Sequence, residues 1–184
     1  MDSAPAAADI QQRAQRIQLF LMDVDGVLTD GKLFYFPGPD GKIAETKGFN
    51  AQDGISLQWL AWNHIQTGVI SGRVSPATEE RARQVGMTYV YQGHIEKVPI
   101  LEEIIQKSGI PAANIAYAGD DLTDVPIFRR VGLAFAPANA RAEVKAAAHH
   151  VVSAGGGNGA VRDMVEILLR AQGNWDSILK KYQA

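Results

Sequence analysis

The segment LFLMDVDGVLTD, Leu19 to Asp30, limits the possible fold more than any other stretch of the chain. A short apolar run ends in Asp23 and Asp25, two acids separated by one valine. A run this short, with no helical period, reads as a strand buried on both faces, and such strands belong to parallel sheets covered by helices. Acids at its end then belong to the rim of the sheet, because open α/β sheets bind ligands outside the carboxyl ends of their strands.

The rest of the chain repeats this pattern. Strands are expected at Leu19–Val24, Ile65–Ser71, Tyr89–Tyr91, Ile115–Gly119, Leu133–Phe135 and Val151–Ser153. Amphipathic helices are expected at Asp53–Trp62, Ser75–Val85, Glu96–Lys107, Asp124–Val131, Ala140–Ala148 and Gly159–Gln172. Ser75 reads as an N-cap before Pro76, and His149-His150 as a helix-to-strand junction. The fold class is α/β, a doubly wound, Rossmann-like parallel sheet with a small β-hairpin flap and no large cap domain. The hairpin spans about residues 32–49, around Pro37-Gly38-Pro39-Asp40-Gly41. Residues 1–16 read as a frayed or loosely helical lead-in, 17–172 as the domain, and 173–184 as a tail with an apolar stripe that wants a partner. Trp59 and Trp62 read as core or subunit packing, and Gly155–Gly157 as a turn that brings a neighbouring site close.

Composition narrows the function. A net charge of −2 gives no attraction to nucleic acid or to an anionic membrane. Zero cysteines exclude thiol catalysis and thiolate metal sites and suit a reducing, cytoplasmic compartment. No apolar run approaches the ~20 residues of a membrane span.

Reading only the strand ends collects Asp23, Asp25, Ser71-Gly72-Arg73, Lys97 and Asp120-Asp121 with Asp124 on one rim. Clustered carboxylates repel unless a cation lies among them, and an oxygen-only set favours Mg²⁺. Ser71, nearby backbone N–H groups and Lys97 can then cradle a phosphoryl group. Asp23 is placed to attack phosphorus, and Asp25 to serve the leaving oxygen and then water.

The ordered set DVDGVLTD, SGR, EK and GDDLTD resembles the haloacid dehalogenase superfamily of phosphohydrolases. The resemblance implies Asp23 as nucleophile, Asp25 as acid/base, Ser71 and Lys97 as charge stabilisers, and Asp23, Asp25 (through its carbonyl) and Asp120 as Mg²⁺ ligands. Asp121 and Asp124 support them. FNAQDGISL, GGGNGAVRD and AQGNWDSILKKY resemble the capless branch, the 3-deoxy-D-manno-octulosonate 8-phosphate phosphatases. That likeness implies a homotetramer, a phosphorylated sugar acid as substrate, and Asn50, Gln52, Asp53, Gly54, Gly72, Arg73 and Arg81 as residues lining its site. Arg81 reads nearly as well as part of a solvated charged face. Gln52, Gln58 and Asn158 stand where that branch usually carries cations, leaving Arg73 and Arg162 to meet a carboxylate. A nonulosonate 9-phosphate therefore stays open as substrate. So do a macromolecular phosphate and a catalytically idle assembly module.

Overall fold

β1 (Leu19–Met22) lies inside a six-stranded parallel sheet, where its apolar run predicts it. The computed structural model describes residues 4–38 and 40–183. β2 (Phe34–Pro37) and β3 (Ile43–Thr46) form a separate antiparallel hairpin, and both strands are largely exposed. The remaining strands are β4 (Gln66–Ser71), β5 (Tyr89–Gln92), β6 (Ile115–Ala118), β7 (Leu133–Ala136) and β8 (His150–Val151). Their order across the sheet is β5-β4-β1-β6-β7-β8. The chain moves outward on one side from β1 to β5, then returns to begin again at β6. The crevice between the β1 and β6 tips is the switch point where such sheets bind ligands.

β1 shows why the sheet is covered twice. Phe20 and Met22 enter a core with α2 (Ala51–Trp62) and α7 (Ala160–Ala171), while Leu19 and Leu21 enter another with α4 (Val98–Ser108) and α5 (Val125–Phe128). Side chains alternate along a strand, so an unbroken apolar run requires helices on both faces. α7 buries Val161, Met164, Val165, Leu168 and Leu169. At ~1.5–3 kcal/mol for each large apolar side chain, that stripe is a main anchor of its layer.

Several segments depart from the sequence reading. Residues Ala4–Ala14 form α1, with Ile10 and Ala14 buried, although their composition suggests a loose lead-in. The Arg13 guanidinium donates to Gly132 O (2.8 Å), and the Gln172 amide donates to Ala14 O (3.0 Å) and Ile17 O (2.9 Å). The helix after β6 is shorter than expected, because Asp121 and Asp124 hold a single 3₁₀ turn before α5. Ser75 precedes α3 (Pro76–Val85), but its hydroxyl makes no cap bond; its N–H donates to Gln92 Oε1 (2.8 Å). α6 (Ala142–Ala147) is also trimmed, and β8 begins one residue early. At that junction His149 Nδ1 accepts from Ala134 N–H (2.8 Å).

The tail forms α8 (Trp175–Lys181) and docks on its own chain. Trp175 lies edge-on to Trp59 (5.8 Å between centroids), and the Trp59 indole N–H donates to Tyr182 OH (3.2 Å). No helix among the described residues is long and apolar enough to cross a membrane.

Candidate active site

Asp23 extends the β1 ladder, donating its N–H to Ala118 O (2.9 Å). The chain then makes one wide turn, Val24–Leu28, closed by Thr29 N–H on Val24 O (3.0 Å). Gly26 sits in this turn at φ +84°, and a Cβ there would lie 2.0 Å from Asp120 Oδ2. The missing side chain lets the β1 and β6 tips converge.

Lys97 precedes α4 and is 3% exposed. Its ammonium donates to Asp23 Oδ2 (2.6 Å), Asp124 Oδ1 (2.7 Å) and Tyr117 OH (3.2 Å). A helix N-terminus disfavours a cation, so these partners, not the dipole, hold it there. Burial works against the charge, but Asp23 and Asp124 outweigh it and raise the lysine pKa. Asp124 is fully occupied: Oδ1 also accepts from Tyr117 OH (2.8 Å), and Oδ2 from the N–H groups of Asp120 (3.0 Å) and Asp121 (3.2 Å). It shapes the loop that presents Asp120. Burial, with Asp124 beside it, pushes Asp23 up to about 6 against the pull of Lys97. Burial and the neighbouring carboxylates push Asp120 to about 7. Burial and Asp124 likewise drive the Tyr117 phenol well above its usual value, so it stays a donor.

Carboxylate oxygens of Asp23, Asp120 and Asp124 lie within 4.8 Å of one another. One ammonium cannot neutralise three such groups. The deficit, with oxygen donors alone, fits a hard divalent cation such as Mg²⁺.

A second network faces Asp25. Lys47, just past β3, contacts Asp25 Oδ1, and its ammonium lies 3.4 Å from Glu45 Oε1. Arg73 pairs with Glu45 through one terminal nitrogen, which also reaches Tyr35 OH (3.2 Å), and its Nε stands 3.9 Å from Asp25 Oδ2. Arg73 holds the Glu45 carboxyl below its usual range.

Both networks border a cavity of about 290 Å³. Asp23, Asp25, Ser71, Gly72, Arg73, Lys97, Asp120 and Asp121 line it, as the strand tips predict. Asn139 lines it as well, and it braces the wide turn by donating to Gly26 O (2.9 Å) and accepting from Gly156 N–H (2.6 Å). The glycine loop packs against the wide turn, with Gly157 N–H on Val27 O (3.0 Å).

The other expected substrate residues gather at the head of α2, outside the cavity lining. Asn50 caps that helix, accepting from the N–H groups of Gln52 (2.7 Å) and Asp53 (3.3 Å). Asp53 is 1% exposed and accepts from Arg162 N–H (2.8 Å), joining α2 to α7. The Arg81 guanidinium donates to Asn50 O (2.8 Å), and a Cβ on Gly54 would collide with it. Arg81 is thus a bracket for α2 and not part of a solvated face. Gln52 is exposed. Arg162 is engaged elsewhere, stacked over Trp59 (4.0 Å) and paired with Glu166 (2.7 Å).

Lys47, Glu45, Tyr117 and Asn139 escape the sequence reading. Lys47 and Glu45 lie at the end of a projecting hairpin that carries no motif. Tyr117 hides in an apolar strand, and Asn139 in a loop without a motif.

Residues 78–162 match the haloacid dehalogenase-like hydrolase family. The 3-deoxy-D-manno-octulosonate 8-phosphate phosphatase KdsC of Escherichia coli is 38% identical over 172 residues, 94% of this chain and 89% of that protein. A probable YrbI family phosphatase from Pseudomonas syringae superposes with a TM-score of 0.91 at 40% identity, covering 96% of this chain and 98% of that one. A 3-deoxy-D-manno-octulosonate 8-phosphate phosphatase from Moraxella catarrhalis, solved with magnesium ion, phosphate ion and KDO, superposes with a TM-score of 0.89 at 37% identity, covering 95% and 98%. The chain therefore belongs to the haloacid dehalogenase-like hydrolases, as a phosphoric monoester hydrolase of the 3-deoxy-D-manno-octulosonate 8-phosphate phosphatase family.

Proposed function

We propose that this chain hydrolyses a small sugar-acid phosphate monoester, with 3-deoxy-D-manno-octulosonate 8-phosphate as first candidate, through an aspartyl-phosphate on Asp23. One observation carries the reading: three convergent carboxylates and one buried lysine beside a cavity lined by Ser71. Asp23, Asp120 and the Asp25 carbonyl would hold Mg²⁺, which when bound supplies the missing positive charge and draws charge from the phosphoryl oxygens.

The Asp23 carboxylate attacks phosphorus, and the phosphorus–oxygen bond to the sugar breaks. Asp25 gives a proton to the departing oxygen, then takes one from the water that cleaves the acyl phosphate. Lys97 offsets charge at Asp23 throughout. The Ser71 hydroxyl, 2% exposed at the end of β4, meets the phosphoryl oxygens. Asn50, Asp53, Gly54 and Arg81 contribute by fixing the head of α2. Arg73 is the cation left at the cavity for a substrate carboxylate, since Arg162 is stacked away. A nonulosonate 9-phosphate is the second candidate substrate.

The working unit in this reading is a cytoplasmic homotetramer. Phe34, Tyr35, Phe36 and Ile43 leave the hairpin 44% to 67% exposed, an apolar surface that a neighbouring subunit can cover. Sedimentation should give four times the chain mass; a monomer overturns the assembly.

The deciding experiment measures Mg²⁺-dependent phosphate release from a panel of sugar phosphates, with Asp23→Asn as control. Turnover by wild type and none by a folded Asp23→Asn is expected. Undiminished activity in that variant would end the proposal.

A further inference from the structure

We infer that Lys47 is a positioning residue for Asp25, which makes the segment just past the hairpin's second strand part of the catalytic centre of its own subunit. The inference rests on the phosphatase reading above, in which Asp25 handles the proton. Both hairpin strands are largely exposed, yet the Lys47 side chain is 1% exposed. Burying an ammonium is strongly unfavourable unless a carboxylate meets it closely. Anchoring the hairpin would not require that cost, because Phe49, two residues on, already packs against the core.

The contacts point instead at the Asp25 carboxyl. Lys47 holds one of its oxygens, and Arg73 Nε stands 3.9 Å from the other. Both cations are secured by the same hairpin acid, Glu45. Asp25 and Glu45 against Lys47 and Arg73 make a neutral quartet that asks for no further ion. Asp25 sits on the wide turn two residues from Asp23, and an aspartate has two side-chain torsions to set. Lys47 draws it toward the hairpin side of the cavity, where a leaving oxygen would depart. A misplacement of about 1 Å at such a group can cost roughly 100-fold in rate.

The test exploits what a leaving group needs. A sugar alkoxide requires a proton; p-nitrophenolate leaves without one. Wild type, Lys47→Met and Lys47→Arg, as full chains, are compared by kcat/KM on the best sugar phosphate and on p-nitrophenyl phosphate. Lys47→Met should lose about 100-fold on the sugar phosphate and roughly tenfold or less on the aryl ester, with an unchanged Mg²⁺ midpoint. Lys47→Arg should recover part of the sugar-phosphate loss. Equal losses on both esters, or no loss, overturn the inference, because a loosened fold would not distinguish leaving groups. If Lys47→Met does not fold, the same split is required of Lys47→Arg, and its absence there decides against Lys47. Wild type that releases phosphate from neither ester defeats the phosphatase reading itself; an active wild type without the split defeats this inference alone.

Discussion

Lys97 and Lys47 are both buried and carboxylate-bound, one on Asp23 and the other on Asp25, but their surroundings balance differently. Around Lys97, the carboxylates of Asp23, Asp120 and Asp124 outnumber the ammonium and two of them are pushed upward in pKa. Around Lys47, two acids meet two cations. The first arrangement is a socket that calls for a divalent ion. The second is balanced without an added ion, and its lysine orients Asp25. Identical residue types therefore do different chemistry according to whether their charges sum to zero.

The largest effect that could break this contrast is Lys97→Met. It leaves Asp23 and Asp124 without the cation they share, and removing one partner of a buried pair costs about 3–5 kcal/mol. Urea unfolding without Mg²⁺ should show it. Lys47→Met should cost clearly less, because Asp25 remains 22% exposed and keeps Arg73 nearby. Equal costs would erase the distinction.

Next comes the ion itself. Mg²⁺ at ~100 times its dissociation constant should stabilise the folded chain by about 2.7 kcal/mol. Asp120→Asn should remove most of that gain, read as a melting shift, while Glu45→Gln should leave it intact.

The pH response of the metal-free protein sharpens the same point. Asp23 at about 6 and Asp120 at about 7 lie above the ordinary 3.8, so the folded state holds protons that the unfolded chain has released. Their stabilisation is complete below about pH 4 and disappears as pH rises through about 7. Over that window, the melting temperature of the metal-free protein should carry a falling component that saturating Mg²⁺ flattens. A smaller effect, about 1 kcal/mol, is expected for Asn139→Ala, which loses two hydrogen bonds at a partly exposed position. Smallest of all, Glu80→Gln should leave unfolding unchanged, since its pair with Arg83 is open to solvent.

The socket is legible in the sequence because strand ends are legible. Apolar runs locate β1, β4 and β6, and topology places whatever follows them on one rim. Asp23, Ser71 and Asp120 are found in this way. The clamp is not legible, because Lys47 and Glu45 are set by how a hairpin folds back over the turn, and that is a tertiary fact. The same reason explains Arg162, which reads as a free cation but stacks on Trp59 once α7 meets α2. It also explains α1, whose alanine-rich pattern hides the apolar face that docks. Gly155–Gly157 reads as a turn, but only the approach to Val27 shows what it turns against.

The seam between α2 and α8 has a practical consequence. All three tryptophans, Trp59, Trp62 and Trp175, lie along it, with Tyr182 on Trp59 and Lys181 over Trp62. None of them borders the cavity. The tryptophan fluorescence of this protein is therefore a gauge of tail docking, and the chemistry at Asp23 takes place out of its sight.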